Sequence, residues 1–166
     1  MIDDSRFPIV FLTCPSELTS AFLTDFEQSY ERLFARRAKF VVVCDLRMIA
    51  KVPDALMRKR LSDILNRPDF KAQQERYQVG SANVIASAAV RAALTALLWV
   101  WQPTSPMYAP RDHHDAIAWS ISRLREVGVT IPPSLASLAQ TYRPDDARRA
   151  TEELSNNHFF LKLRSD

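Results

Sequence analysis

The sequence predicts an α/β fold in which a mainly parallel sheet of four or five strands is flanked by helices. The apolar run at residues 40–44 (FVVVC) does not alternate with polar residues, which is typical of a strand covered on both faces. Strand-like and helix-like segments alternate over residues 7–128 in the order βαβαβαβα, and this order requires crossovers between parallel strands. With 166 residues, 47% of them hydrophobic, the chain has enough apolar material for one domain core.

The first strand and helix follow from two patterns near the amino terminus. Residues 7–13 (FPIVFLT) form a short apolar run that ends at Cys14 and Pro15, and this run predicts a strand. A helix is expected to begin at Pro15 or Ser16, because apolar residues then recur at helical spacing. These residues are Leu18, Phe22, Phe26, Tyr30, Leu33 and Phe34.

The second strand, residues 40–46, is followed by a helix start and a helix break. Pro53 and Asp54 suit the first positions of a helix. The apolar face of that helix consists of Leu56, Leu61, Ile64 and Leu65. Pro68 is expected to stop or kink the helix, which resumes over residues 70–77.

The third strand, residues 78–86 (QVGSANVIA), leads into Ser87, a residue type that caps helices. The helix that follows has its apolar face at Val90, Leu94, Leu97, Leu98 and Trp101. A short fourth strand is expected at residues 107–109. Asp112 then caps a last helix that ends before Gly128.

The α/β domain is expected to comprise residues 1–128, and residues 129–166 to form a helical carboxyl-terminal extension. Prolines at positions 132 and 133 make a stiff linker, and short helices are predicted near residues 134–141 and 144–154. Residues 158–163 (HFFLKL) are strongly apolar, and burial of each large side chain is worth about 1.5–3 kcal/mol. We therefore expect this segment to dock as a clasp on the domain or on a second subunit.

Charge and composition exclude several classes of protein. The net charge is +3, but basic residues are dense only at residues 36–39 and 58–60, so the one-sided basic face of a nucleic-acid-binding protein is not expected. The amino terminus is acidic rather than signal-like, and the apolar helix at residues 88–101 is shorter than the ~20 residues that span a bilayer. The prediction is a cytoplasmic protein with no integral membrane segment. Cys14 and Cys44 are interpreted as buried free thiols.

Patterns typical of catalysis and metal binding are weak. His113 and His114 are adjacent, so on a helix their side chains point about 100° apart instead of converging on one ion. We interpret this segment as a polar first turn capped by Asp112, with Asp115 as its acidic third residue. With two glycines in the chain, no glycine-rich phosphate loop is possible. The sequence leaves open whether three carboxylates lie together at one sheet edge, and these are Asp3, Asp4 and Asp45. The prediction is a protein that is not an enzyme and has no cofactor or metal ion.

Trp99 and Trp101 lie two positions apart, so on a helix they diverge by about 200° and cannot both face the sheet. Trp101 shares the apolar face of its helix, whereas Trp99 lies with Ala92, Thr95 and Ala96 on a surface of small side chains. An exposed tryptophan is typical of interaction surfaces. We expect Trp99 to be buried, either in a homodimer contact or beneath the carboxyl-terminal extension.

Three segments, in order along the chain, carry a resemblance to a known family. Residues 41–49 (VVVCDLRMI) end a strand in Asp-Leu, and residues 87–100 (SAAVRAALTALLWV) form an alanine-rich helix. Residues 106–124 (PMYAPRDHHDAIAWSISRL) combine a short strand with a capped helix. Together they resemble the second central strand, the third helix, and the last strand and helix of the STAS-like family, the fold of anti-sigma-factor antagonists. The resemblance covers approximately residues 7–128 and implies a bacterial-type regulatory or signalling module.

The resemblance also implies a partner-binding surface at the loop and helix start after the second central strand. The corresponding residues are Arg47, Met48, Ile49, Lys51, Asp54, Met57 and Arg58. Regulated members of the family carry a phosphorylatable Ser or Thr at this helix start, but no hydroxyl residue occurs between Leu46 and Lys59. Asp54 either caps the helix or presents a fixed negative charge there. We expect a protein partner, a regulator or kinase-like protein, bound without the usual phospho-switch. The alternative is a carrier that holds a small ligand or lipid between helix and sheet.

Overall fold

The computed structural model describes residues 1–110 and 112–136. They form a five-stranded sheet in the order β1-β2-β3-β4-β5, in which β1 is antiparallel to β2 and the other neighbours are parallel. The strands are β1 Ile2–Asp3, β2 Ile9–Thr13, β3 Phe40–Asp45, β4 Gln78–Val84 and β5 Met107–Tyr108. The helices are α1 Ser20–Ala35, α2 Ala55–Leu65, α3 Pro68–Tyr77, α4 Ala88–Leu98, α5 His113–Glu126 and α6 Pro133–Ala136. The predicted α/β class with a mainly parallel sheet is confirmed.

Four helices cover one face of the sheet and α5 covers the other. Each crossover joins neighbouring strands in the same direction along the sheet, and right-handed crossovers of this kind place α1, α2, α3 and α4 on one side. The side chains of successive residues in β3 point alternately to the two faces of the sheet. Phe40 and Val42 pack with α1 to α4, while Val41 and Val43 pack with α5. Burial on both faces therefore explains the unbroken apolar run of β3.

The helix boundaries follow local capping, and the predicted start of α1 is wrong for this reason. α1 begins at Ser20 instead of Pro15 or Ser16, because the Thr19 hydroxyl accepts a hydrogen bond from the Phe22 amide at 3.2 Å. The predicted caps of three other helices are confirmed, and they are Asp54, Ser87 and Asp112. Pro68 ends one helix and is the first residue of the next, α3.

α4 is shorter than the sequence pattern predicts. It ends at Leu98, and the chain closes with a hydrogen bond from the Trp101 amide to the Leu97 carbonyl at 2.9 Å. Trp101 is nevertheless buried in the core, as expected from its place on the apolar face. The helical angle between Trp99 and Trp101 therefore does not apply, since both residues follow the helix.

The sequence analysis did not predict β1. Its two residues lie in a polar segment, so no periodic pattern marks them. The strand forms because Ile2 pairs with Leu12 and because the terminal ammonium of Met1 donates to the Thr13 carbonyl at 2.7 Å.

The described chain ends against the face of the sheet that α5 covers. Leu135 of α6 is buried there among β-strand and α5 side chains. The helix predicted at residues 144–154 and the clasp at residues 158–163 lie outside the described residues, so both stay predictions. Among the residues described, no helix combines the length and apolarity that a membrane span requires.

Candidate functional site

The β3–α2 loop, residues 46–54, lies at the carboxyl end of the sheet and exposes large apolar side chains. Met48 is 62% exposed and Val52 is 39% exposed. Leu56, one turn further in α2, is 60% exposed. Three large apolar side chains exposed within one short segment make this loop and helix start a candidate contact surface.

Asp45, the last residue of β3, holds the start of this loop. Its Oδ1 accepts hydrogen bonds from the backbone amide and from Nε of Arg47, both at 3.0 Å, and its Oδ2 accepts from Nη2 at 2.9 Å. Asp45 is 12% exposed and Arg47 43%. The hydrogen bonds from Arg47 hold the pKa of the Asp45 carboxyl below its ordinary value, against an opposing effect of burial. The charge of Arg47 is thus largely engaged within the protein.

His113, the first residue of α5, completes a network with Asp45 and Arg47. Nη2 of Arg47 lies 3.0 Å from Nδ1 of His113, and because a guanidinium can only donate, Nδ1 is the acceptor. Nε2 of His113 then carries the proton and lies 3.3 Å from Oδ2 of Asp45. Sequence reasoning considered His113 only as a metal ligand and missed this contact. The sequence did contain a clue to this contact. β3 and β5 were predicted to be parallel strands, so the residues that follow them lie at the same end of the sheet.

The loop has a second attachment to the core. The amides of Ala50 and Lys51 both donate to the carbonyl of Ser16, at 2.9 and 3.1 Å. The ammonium of Lys51 pairs with Glu17 at 2.6 Å on the exposed surface. The loop is therefore an ordered platform that presents Met48 from a fixed backbone.

An apolar cleft of about 80 Å³ lies between α2 and α4, directly beside the loop. We call it the α2–α4 cleft, and its apolar wall includes Leu46, Met57, Leu61, Val90, Leu94 and Leu97. The two helices are also joined beyond it, where the Asn66 side chain donates to the Val100 carbonyl at 2.8 Å. Sequence reasoning placed the surface on the α2 side and missed the contribution of α4.

The predicted partner-binding residues that lie nearest the cleft have different roles. Ile49 is buried and lines the cleft from below, and Met57 lines it from α2. Arg58 also lines the cleft, and its Nη1 donates to the Pro53 carbonyl at 2.6 Å. Asp54 accepts a hydrogen bond from the Met57 amide at 2.8 Å, so it caps α2.

Ser62 is the next hydroxyl residue after the loop. Ser62 is 5% exposed, and its hydroxyl donates a hydrogen bond to the Lys59 carbonyl at 2.9 Å. A protein kinase needs an accessible hydroxyl, and the hydroxyl of Ser62 is poorly accessible.

A second exposed apolar patch lies at the end of α4. Trp99 is 71% exposed and Val100 is 58% exposed, so the described part of the chain leaves this tryptophan open to water. The extension beyond residue 136 lies outside the described residues. The expectation that Trp99 is buried by that extension or by a second copy stays a prediction.

The three carboxylates considered in the sequence do not gather. Asp3 lies opposite Phe11 in the β1–β2 pair, and Asp4 forms an ion pair with Arg36 just after the end of α1. Asp45 lies at the carboxyl end of β3, where Thr13 is its neighbour on β2. Asp3 therefore lies opposite the middle of β2, two strands away from Asp45, and Asp4 lies beside the end of α1, so these three carboxylates do not gather.

The two cysteines lie in contact on neighbouring strands. Their Sγ atoms are 3.9 Å apart, and both residues are buried free thiols, as predicted. The hydrogen bond with Cys14, together with burial, raises the pKa of the Cys44 thiol. Cys44 is therefore held as an unreactive thiol.

The histidines of α5 point to different neighbours. His113 faces Asp45 and Arg47, while the ligand atoms of His114, Asp112 and Asp115 lie within 4.8 Å of one another. Oδ1 of Asp112 accepts a hydrogen bond from the Asp115 amide at 2.9 Å, so it acts as the helix cap. The predicted cap at Asp112 is confirmed, and the expectation that this turn binds no metal ion stays a prediction.

A larger depression of about 340 Å³ lies between α1 and α3. Charged side chains line it beside aromatic ones, including Glu31, Arg37, Arg67, Asp69, Phe70 and Tyr77. Arg67 is engaged in an ion pair with Glu27. The depression lies near the carboxyl end of α1, away from the β3–α2 loop.

No family model, curated protein or solved structure matches this chain. The α/β class therefore rests on the observed sheet, and the STAS-like resemblance rests on the sequence segments that carry it.

Proposed function

We propose that this protein is a non-catalytic regulatory module of STAS-like type that binds a protein partner through the β3–α2 loop and the start of α2. The observation that carries the proposal is an ordered loop exposing Met48, Val52 and Leu56 beside an apolar cleft. Methionine adapts its shape to a partner, and exposed apolar clusters on an ordered backbone are typical of protein contacts.

The STAS-like type is supported by the order of elements around this loop. β3 ends in Asp45 and is followed by Leu46, as in the family's second central strand, and a capped helix begins after a short loop. The strand order β2-β3-β4-β5 never reverses, so it lacks the crevice at which doubly wound sheets bind nucleotides. This arrangement favours a recognition surface on loops and helices over a ligand crevice.

The absence of the usual phospho-switch is part of the proposal. The segment between Leu46 and Lys59 has no hydroxyl, and Ser62 is buried. Asp54 is engaged as the cap of α2. We propose that partner binding is not controlled by phosphorylation at this helix start.

The volume of the cleft favours protein binding over a lipid carrier. Pockets that enclose small molecules measure about 300–1,000 Å³, whereas the α2–α4 cleft measures about 80 Å³. The larger depression between α1 and α3 is lined by four charged residues, which does not suit an alkyl chain.

The proposal is tested by photo-crosslinking in host cells. A photoreactive amino acid at Met48 is expected to give a covalent adduct with one defined protein. The matched control carries it at Glu75, an exposed position on α3 that lies outside the β3–α2 loop. Equal adducts at both positions, or none at Met48, would contradict the proposal. A lipid mass retained in native mass spectrometry would favour the carrier instead.

A further inference from the structure

We propose that the α2–α4 cleft receives a large apolar side chain from an acidic amphipathic helix of the partner. This inference rests on the proposed function, because it names the kind of partner that the same surface binds. It adds two properties that the proposed function does not require, helical form and negative charge.

The size and shape of the cleft suit one large side chain of a helix. A cavity that just holds one water molecule measures about 10–15 Å³, so a cleft of about 80 Å³ has room for a single large side chain. It lies between two neighbouring helices, α2 and α4. Amphipathic helices bind to grooves of this kind through a few apolar anchors spaced by one turn.

The two helices that border the cleft carry more basic than acidic residues. α2 carries Arg58, Lys59 and Arg60, and α4 carries Arg91. The single acidic residue of the two helices, Asp63, is paired with Lys59 at 2.7 Å. No Asp or Glu occurs between residues 75 and 112, so α4 and its flanking loops contain no carboxylate. Asp54 and Glu17 are next to lining residues of the cleft, but Asp54 caps α2 and Glu17 is paired with Lys51. The border of the cleft therefore keeps an excess of positive charge, which favours an acidic partner.

Arg58 is the residue best placed to meet a carboxylate. It lines the cleft, and its bond to the Pro53 carbonyl uses only one of the five N–H donors of a guanidinium. Within the described residues, no ion pair engages Arg58 or Arg91. An acidic residue near the apolar anchor of a partner helix would supply the missing counter-charge.

Two other occupants fit these observations less well. The chain's own apolar segment at residues 158–163 is followed by Arg164 and contains Lys162, so it has the same charge as the border of the cleft. The described chain also ends at the opposite face of the sheet, where Leu135 is buried. A membrane surface would contact the exposed side chains of Met48 and Leu56 but would leave the recess of the α2–α4 cleft unfilled.

The test uses the full chain labelled with nitrogen-15 and peptides as probes. The first probe is a helical peptide with leucines on one face and glutamates beside them, and the second replaces each glutamate by lysine. The acidic peptide is expected to shift the amide signals of Leu61, Ala93 and Leu97, and the lysine peptide is expected not to. Arg58→Glu should weaken the acidic peptide about tenfold, while Lys59→Glu, the same charge change outside the cleft lining, should weaken it less than about twofold.

Filling the cleft provides an independent check. Ala93→Phe should abolish binding of the acidic peptide. If Ala93→Phe does not fold, Met57→Ala, which removes part of the cleft wall instead of filling the cleft, should weaken that binding. Equal binding of both peptides would overturn the charge requirement. Two further probes are a peptide comprising residues 155–166 and vesicles of phosphatidylcholine with phosphatidylglycerol. If either shifts the amide signals of Leu61, Ala93 and Leu97 and binds more tightly than the acidic peptide, the proposed occupant is wrong. If no peptide binds while the Met48 adduct forms, this inference fails and the proposed function stands; if peptides bind but Met48 gives no adduct, the proposed function fails.

Discussion

At the scale of single residues, Asp45 decides the position of the β3–α2 loop. Its carboxylate accepts three hydrogen bonds from Arg47 and lies beside His113. A loop held in this way loses little conformational freedom on binding, which favours affinity. The same bonds link the stability of the protein to pH.

We predict that Asp45→Asn lowers the free energy of unfolding by about 1–3 kcal/mol at neutral pH, since charge-assisted hydrogen bonds are lost. The pKa of Asp45 lies below its ordinary value of 3.8 in the folded chain. Its stabilising effect is therefore complete above that ordinary value and decreases as the pH falls through the folded pKa. Urea unfolding at pH 7 and in strong acid should show a difference between wild type and variant that disappears in acid.

Asp63→Asn is the matched control for this prediction. Asp63 pairs with Lys59 on the exposed face of α2, where an ion pair contributes about 0–1 kcal/mol. A difference between Asp45→Asn and wild type that persisted at low pH would show that packing, and not the carboxylate charge, stabilises the loop.

A second prediction at the residue scale concerns Gly80 in β4. A Cβ atom at this position would lie 2.7 Å from the ring of Trp119, which is buried. Trp119 also lies against Tyr108, with 5.6 Å between ring centroids, so it cannot move away freely. Gly80→Ala should lower the free energy of unfolding by about 1–3 kcal/mol through overpacking, measured by chemical denaturation.

The double variant Gly80→Ala with Trp119→Phe tests this cause. Phenylalanine lacks the outer ring atoms that the new methyl group would meet, so the two changes together should destabilise less than their sum. Strictly additive effects would mean that the alanine acts through the backbone of β4 instead.

At the scale of elements, the caps explain where the helices begin. Asp54→Ala is predicted to lower the free energy of unfolding by about 1 kcal/mol, because the Met57 amide loses its acceptor. It should also loosen the first turn of α2, which carries Leu56 and part of the cleft wall. Hydrogen exchange of the amides in this turn is the measurement.

Asp54→Asn separates capping from charge. Asparagine caps helices as well as aspartate does, so this variant should keep both the stability and the slow exchange. If Asp54→Asn exchanged as fast as Asp54→Ala, the negative charge at the helix start, and not the hydrogen bond, would be the stabilising feature.

At the scale of the whole molecule, the open question is what covers the patch at the end of α4. Trp99 and Val100 are both more than half exposed. We predict that the protein forms a homodimer through this patch and that Trp99→Lys shifts it to the monomer, as measured by sedimentation at several concentrations. Leu56→Lys, which alters an exposed apolar residue near the cleft, should leave the mass unchanged.

Fluorescence gives a second reading of the same surface. If the wild-type protein is a monomer at all concentrations, no subunit contact covers the patch, and if Trp99 is also fully quenched by a soluble quencher, the extension does not cover it either. If the monomer instead shields Trp99 from the quencher, deletion of residues 155–166 should expose the patch and increase binding of an apolar dye while the domain stays folded.

The sequence by itself determined the features that depend on neighbouring residues. The order of strands and helices from β2 to α5, the burial of both faces of β3, and the caps at Asp54, Ser87 and Asp112 were all predictable. Hydrophobic periodicity and helix capping act between residues a few positions apart, so the sequence contains them directly. The proposed partner-binding segment followed from the family resemblance, which is carried in part by the strand before the loop.

Only the tertiary structure decided which distant residues meet. His113 lies 66 positions from Arg47, the cleft needs a wall from α4 as well as from α2, and β1 forms by pairing with β2. Such contacts depend on strand order, and four parallel strands can be arranged in several orders with the same local pattern. The order β2-β3-β4-β5 places α2 beside α4 and brings the start of α5 to the end of β3, and that placement creates the candidate site.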